Sequence, residues 1–169
     1  TIDAYWEANM DIASIEPQLD VYDFDWPIWT YQPQNPPAKF VQDINGTSTI
    51  VRNSVCSSGC IISGSSVNQS VLFHSVRVHS NCFLSESVIS PFCIIHRGCR
   101  LTKVILDRGV ELPRNLIVGE NAELDAKRFR RSEGGVTLIT KSMLERLKKT
   151  EPQLFEGFED YRAAFIPSH

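Results

Sequence analysis

Cys56, Cys60, Cys82, Cys93 and Cys99 are the residues of this chain with the widest chemistry open to them. Zinc sites take thiolates as CxxC-type pairs in matched sets. Cys56 and Cys60 are separated by three residues, and no second pair repeats that spacing. The count is odd, and Cys60 and Cys93 occupy places that valines fill elsewhere in the chain. The cysteines therefore read as small, reduced, buried side chains that hold no metal. The cations offer a second chemistry. Lys127, Arg128, Arg130 and Arg131 form a basic run. Clustered guanidinium and ammonium groups hold phosphate through charge-assisted hydrogen bonds. Nucleic acid is a poor match, because the formal net charge is −3, the pI is about 5.8, and Phe129 is the one aromatic within the run. The run reads instead as a solvated helix face with one or two residues turned to a neighbouring domain or a phosphate. Gly119-Glu120 and Gly134-Gly135 are turns, without the strand before and the helix after that a phosphate-cradling loop requires.

The element that must position these residues is an internal repeat. Val55, Val71, Val88 and Val104 form one column, with spacings of 16, 17 and 16. Cys60, Val76, Cys93 and Val110 form a second, and Ile62, Val78, Ile95 and Leu112 a third, both with spacings of 16, 17 and 17. Residues that recur in this way stack in space, one coil covering the hydrophobic row of the next. Short Val/Ile/Cys runs alternate with Ser, Asn and Gly corners. The repeat predicts a mainly β protein, a parallel β-helix of about four coils over 49–118 with three short strands per coil. All four valines of the first column are expected to point inward. Handedness does not follow from the spacing.

The flanks divide the rest. Residues 2–14 read as a helix that Asp3 can cap, packing through Tyr5, Met10, Ile12 and Ala13. Trp6 and Trp26 read as packing residues or interface anchors. Residues 20–50 read as an extended connector, since Pro27, Pro33, Pro36 and Pro37 forbid a helix. Residues 120–130 predict a short helix capped by Asn121, and 136–140 a short strand. Residues 140–149 predict an amphipathic helix capped by Thr140 or Ser142. The tail carries Phe155, Phe158, Tyr161 and Phe165, which favour docking. The resulting division is 1–48, 49–118, 119–149 and 150–169. The 169 residues suit one domain with an appendage, and 42% hydrophobic residues can fill a core. No apolar run nears the roughly 18 residues of a membrane span. Thr1 opens a polar stretch unlike a signal peptide, and a start at Thr is expected of a fragment or processed product.

Three segments carry a family resemblance. TIDAYWEANMDIA at 1–13 resembles the last catalytic-domain helix of bacterial ADP-glucose pyrophosphorylases. PPAKFV at 36–41 resembles the lead into their β-helix, and IVGENAELDAKRFRRSEGGVTLIT at 117–140 resembles the segment that follows it. The resemblance covers residues 1–149. It implies a left-handed β-helix and a cytoplasmic parent enzyme that makes ADP-glucose and pyrophosphate from ATP and glucose 1-phosphate, using Mg, for glycogen synthesis. It also implies a homotetramer under allosteric control by phosphorylated metabolites. This chain has no nucleotide-holding loop and no metal-binding acidic set of the family's type. It is expected to be the regulatory and assembly domain, with no cofactor of its own and no catalytic residues. Its partners would be its own catalytic domain and sister subunits, with no nucleic acid or membrane. Arg108 stands where the family has an effector-facing Arg, and Lys141 where it has another basic residue. Four residues on, the family's second Arg is replaced by Glu145, with Arg146 beside it. Arg108, Lys141, Arg146 and Arg131 are thus the candidate effector residues.

His74, His79 and His96 lie in the repeat and raise a rival reading, a stand-alone β-helix acyltransferase with a histidine general base. Such enzymes carry regular, Gly-rich hexapeptides and a loop for acetyl-coenzyme A. These coils are irregular and Gly-poor, and no such loop is evident, so the histidines read as corner or surface residues. A plain interaction module is a third reading, since helix and segment 120–149 can cap the coil ends and dock a partner.

Overall fold

The chain bends three times per coil, and each bend needs one residue at positive φ. The first corner uses Asn53, Gln69, Glu86 and Lys103; the second Gly59, Ser75, Phe92 and Gly109; the third Gly64, Asn81, Gly98 and Asn115. Eight of these are not glycine, which is why the coils are poor in Gly. Each such residue costs about 1–2 kcal/mol of backbone strain, repaid by the hydrogen bonds between coils.

The computed structural model describes residues 1–27 and 32–157. The corners separate three stacks of short parallel strands. The first contains Lys39–Val41, Ile61–Ser63, Arg77–Val78, Ile94–Ile95 and Glu111–Leu112. The second contains Ile50–Arg52, Ser66–Asn68, Phe83–Ser85, Arg100–Thr102 and Ile117–Val118. The third contains Val55–Cys56, Val71–Leu72, Val88–Ile89, Val104–Leu106 and Thr137–Ile139, with Arg130–Arg131 added antiparallel at its end. The result is a parallel β-solenoid of about four turns. Its ladder extends beyond 49–118 at both ends. Lys39–Val41 pairs with Ile61–Ser63, and Thr137–Ile139 pairs with Val104–Leu106 after the chain has looped out through residues 119–136.

The second and third columns stack as expected, with Ile62, Val78, Ile95 and Leu112 in register and fully enclosed. The first column needs two corrections. Val88 pairs with Ile105, not Val104. Val104 continues the corner line of Ser54, Ser70 and Ser87, its N–H donating to Ser87 Oγ at 3.3 Å. Nor do the other three valines face the interior. Side chains alternate along a strand, and Leu72, Ile89 and Leu106 are the ones in the main core. Val71, Val88 and Ile105 form a second cluster with Met10 and Ala13 of a helix laid across the outside. Val71 and Val88 are buried and Val55 half-buried, all three under the helix, whereas Val104 belongs to the main core.

That helix, α1 (Ile2–Ile12), is capped by Thr1, whose hydroxyl accepts from Ala4 N–H at 3.2 Å. Asp3 does not cap it. Its carboxylate instead accepts from the Ser132 hydroxyl and from Gly134 N–H, tying α1 to the turn at 132–135. Trp6 fixes the other edge: its Nε1–H donates to Glu86 O at 2.6 Å, and Lys103 Nζ lies 4.6 Å from its ring centre. Tyr5 and Trp26 are largely exposed.

The buried cysteines sit at inward corners, where a small donor meets a carbonyl of the next coil. Cys60 Sγ donates to Phe73 O at 3.0 Å, Cys82 to His96 O, Cys93 to Asp107 O and Cys99 to Pro113 O, each at 3.1 Å. Ser65 Oγ does the same to His79 O at 2.6 Å. Burial pushes the Cys93 thiol up to about 11, so it keeps the proton that this contact uses.

Two helices close the C-terminal end. In α2 (Ala122–Arg128) Asn121 caps, accepting from Leu124 N–H at 3.1 Å. In α3 (Lys141–Thr150) Thr140 caps, and Leu144 and Leu147 are buried on the solenoid. One turn of 3-10 helix, Pro152–Phe155, follows. Of the tail aromatics, Phe155 packs against the core; Phe158, Tyr161 and Phe165 lie outside the described residues. No helix among the described residues is long and apolar enough to cross a membrane.

Leu106 is fully enclosed in the main core. Leu106→Ala should therefore destabilise the fold by about 2–5 kcal/mol, read as a lowered midpoint in urea unfolding.

Candidate functional site

Two segments far apart in sequence meet at the end of the solenoid. The corner Asp107–Gly109 leaves the last full coil, and α3 returns across it. Gly109 has φ +65°, and a Cβ placed on it would stand 2.8 Å from Lys141 Nζ. The bare backbone there leaves room for the ammonium. Between them lies a cleft of about 320 Å³ lined by Gly109, Glu111, Lys141, Leu144, Glu145, Lys148 and Phe155.

Helix periodicity accounts for the lining. Lys141, Leu144, Glu145 and Lys148 are spaced i, i+3, i+4 and i+7, which is one face of α3. Arg146 falls off that face. Its guanidinium donates to Arg128 O at 3.1 Å and borders a separate hollow with Leu124, Lys127 and Glu151. Glu145, not Arg146, faces the cleft. Arg108 is one residue from the lining and is exposed. Its guanidinium lies over the Phe92 ring, 4.8 Å from the centre, and the Phe92 and His74 rings meet edge-to-face with centres 4.9 Å apart. Arg131 is remote, in the Arg130–Arg131 strand, with its guanidinium near Gly135. The four candidate cations thus divide: Arg108 and Lys141 share one end of the solenoid surface, while Arg146 and Arg131 face other neighbours.

The cleft carries both signs of charge. Lys141 and Lys148 stand against Glu111 and Glu145. Glu111 is anchored from below, since His96 Nε2 and Glu111 Oε1 are 2.9 Å apart with both side chains largely buried. His79 stacks on His96, ring centres 5.1 Å apart and 3° from parallel. The histidine pair supports the floor of the cleft. Sequence reasoning missed Lys148, Glu111 and Phe155. The i+7 spacing from Lys141 would have found Lys148; Glu111 and Phe155 arrive only through tertiary packing.

A family model described as "GlmU-like, C-terminal hexapeptide" matches residues 36–139. That span begins just before the first rung, Lys39–Val41, and ends on the last parallel strand, Thr137–Ile139. The chain belongs to this hexapeptide family. The repeat here has few glycines because Ser, Asn, Gln, Glu, Lys and Phe take eight of the positive-φ corners. Three curated relatives bear the name glucose-1-phosphate adenylyltransferase. That of Rhodopseudomonas palustris (strain TIE-1) is 53% identical over 147 residues, 87% of this chain and 35% of the relative. That of Rhodopseudomonas palustris (strain BisB18) is 51% identical over 148 residues, 88% and 35%. That of Francisella tularensis subsp. novicida (strain U112) is 46% identical over 149 residues, 88% and 35%. The chain spans about a third of the length of these relatives.

His79 gives the hexapeptide domain a pH dependence. Burial, followed by His96, Arg77, Arg97 and Arg114, pushes its imidazole down from 6.5 to about 4. Between these values the unfolded chain binds a proton that the folded chain refuses, so stability falls as pH drops through that window. His79→Gln should flatten the slope of unfolding free energy between pH 6.5 and 4, and the His79 ring resonances in NMR should show no protonation at pH 6.

Proposed function

We propose that this chain is the regulatory and oligomerisation part of a glucose-1-phosphate adenylyltransferase, an enzyme joining ATP and glucose 1-phosphate into ADP-glucose and pyrophosphate on the route to glycogen. The observation that carries this is 53% identity over 87% of the chain to a relative of that name. Adenylyl transfer itself would belong to the rest of such a protein. Among the described residues no three His, Cys, Asp or Glu side chains gather so as to hold a metal ion.

What this chain offers is a scaffold with a ligand cleft at one end. The solenoid is rigid, since every rung is hydrogen-bonded to the next. α1 is pinned along its outside by Asp3 and Trp6, and this is the segment that resembles the end of a catalytic domain. A phosphorylated effector bound between Gly109 and Lys141 would touch the last coil and α3 together. Lys141 Nζ and the Arg108 guanidinium would supply charge-assisted hydrogen bonds. Ligand binding there would reach the chemistry through interdomain coupling of about 1–3 kcal/mol, which makes the site regulatory. Sister subunits of a homotetramer and the chain's own catalytic domain are the partners of this reading, with the cytoplasm as its compartment.

Two experiments test it. The 169-residue chain alone should form no ADP-glucose from ATP and glucose 1-phosphate with Mg; turnover that copurifies with it would refute the assignment. In the full-length protein, Arg108→Ala and Lys141→Ala should raise the half-saturating effector concentration about fivefold or more while leaving substrate KM near the parent value. Arg146→Ala, pointing elsewhere, should change neither. Unchanged effector response in both Arg108→Ala and Lys141→Ala would remove the cleft from regulation.

A further inference from the structure

The family model ends at residue 139, and the relatives match 147 to 149 of the 169 residues. The segment that follows α3 is nevertheless built into the fold. Glu151 takes a two-pronged grip from Arg128, Nε to Oε1 at 2.8 Å and Nη2 to Oε2 at 2.5 Å. The guanidinium beside it holds the Glu151 carboxyl below its ordinary range. Pro152 opens the 3-10 turn with its fixed φ. Leu154 and Phe155 then pack on the main core. The turn brings Phe155 to the wall of the cleft that holds Lys141.

The cleft's charges say what that wall is for. Two lysines face two glutamates. A bare phosphate meets attraction and repulsion there together, and gains nothing from an aromatic wall. A phosphate monoester carrying a ring meets a different surface. Its phosphate can reach Lys141, its hydroxyl or amino groups can donate to Glu111 and Glu145, and its ring can pack against Phe155 and Leu144 in the lining. We infer that Phe155 is a specificity-determining residue: through it, the tail beyond the family match sets the cleft's preference for ring-bearing phosphate monoesters over inorganic phosphate. This rests on the effector reading of the same cleft.

The test is calorimetric titration of the full-length protein with inorganic phosphate, a sugar monophosphate (glucose 6-phosphate) and a nucleoside monophosphate (AMP). The parent should bind at least one ring ester more tightly than phosphate, and which ester identifies the ring. Phe155→Leu keeps an apolar side chain on the core and should leave the thermal midpoint close to the parent's. It should lower the ratio of ring-ester to phosphate affinity about three- to tenfold, and Phe155→Tyr should restore the ratio. An unchanged ratio in Phe155→Leu overturns the inference, as does equal weakening of all three probes, which marks a merely structural role. Lys141→Ala separates the two readings. If it weakens every probe while the Phe155→Leu ratio stays put, the effector cleft stands and the tail's role falls. If Lys141→Ala changes nothing, or the parent binds no probe, both fall.

Discussion

The inward corner is the constraint on which this molecule depends. At each one the backbone turns sharply, leaving a carbonyl of the next coil facing the interior. Buried carbonyls without a donor are costly, about 1–3 kcal/mol each. A side chain small enough to fit the corner and able to donate satisfies that carbonyl, whereas Val76 and Val110 fill the equivalent corner of two other coils without donating. Ser65, Cys60, Cys82, Cys93 and Cys99 meet both requirements. Cysteine and serine are thus near-equivalents here, one more apolar and the other the stronger donor. The cysteines, which look like candidate ligands or nucleophiles, are consumed by backbone accounting. A second line, Ser54, Ser70 and Ser87, works at another corner, each hydroxyl accepting an N–H from the coil above and donating to a carbonyl two residues back.

With the corners satisfied, the rungs stack in register and the solenoid has two kinds of buried face. One is interior and filled by Leu, Ile and Val. The other is the outside of the third stack, where the valine column and Ile105 are covered by α1. α1 is thereby part of the solenoid's packing, and polar contacts at Asp3 and Trp6 fix its position along the stack.

The cleft forms where the repeat stops. After Ile117–Val118 the chain leaves the ladder, makes α2, and returns as Thr137–Ile139 to finish the third stack. Asp125, buried and accepting from Gly119 N–H at 2.8 Å, secures the exit. That return directs α3 across the Asp107–Gly109 corner. Gly109 admits Lys141 because it lacks a side chain, and Glu111 presents its carboxylate because His96 and His79 hold it from beneath. The tail then adds Phe155. Repeat, return strand, helix and tail each supply one part of a single concave surface.

The sequence by itself determined the architecture. A repeat of 16 or 17 residues with apolar columns and small polar corners admits few packings other than stacked coils, and local signals put the starts of the two C-terminal helices at Asn121 and at Thr140 or Ser142, of which the structure takes Thr140. What it could not decide was which side of a strand faces the interior. Val71 and Leu72 are both apolar neighbours, and their assignment inverted only once α1 was seen to cover the outer one. The Val104 register was ambiguous for a similar reason, since Val104 and Ile105 both fit an apolar column and a one-residue slip exchanges faces. The candidate site divides the same way. Arg108 and Lys141 were found from family resemblance; Arg146 was a candidate beside them, and the structure turns it off the Lys141 face toward Arg128. Glu111 and Phe155 were decided by tertiary structure alone, because they reach the cleft from a strand and a tail whose meeting depends on how the chain re-enters the third stack. No local pattern of residues encodes that return path.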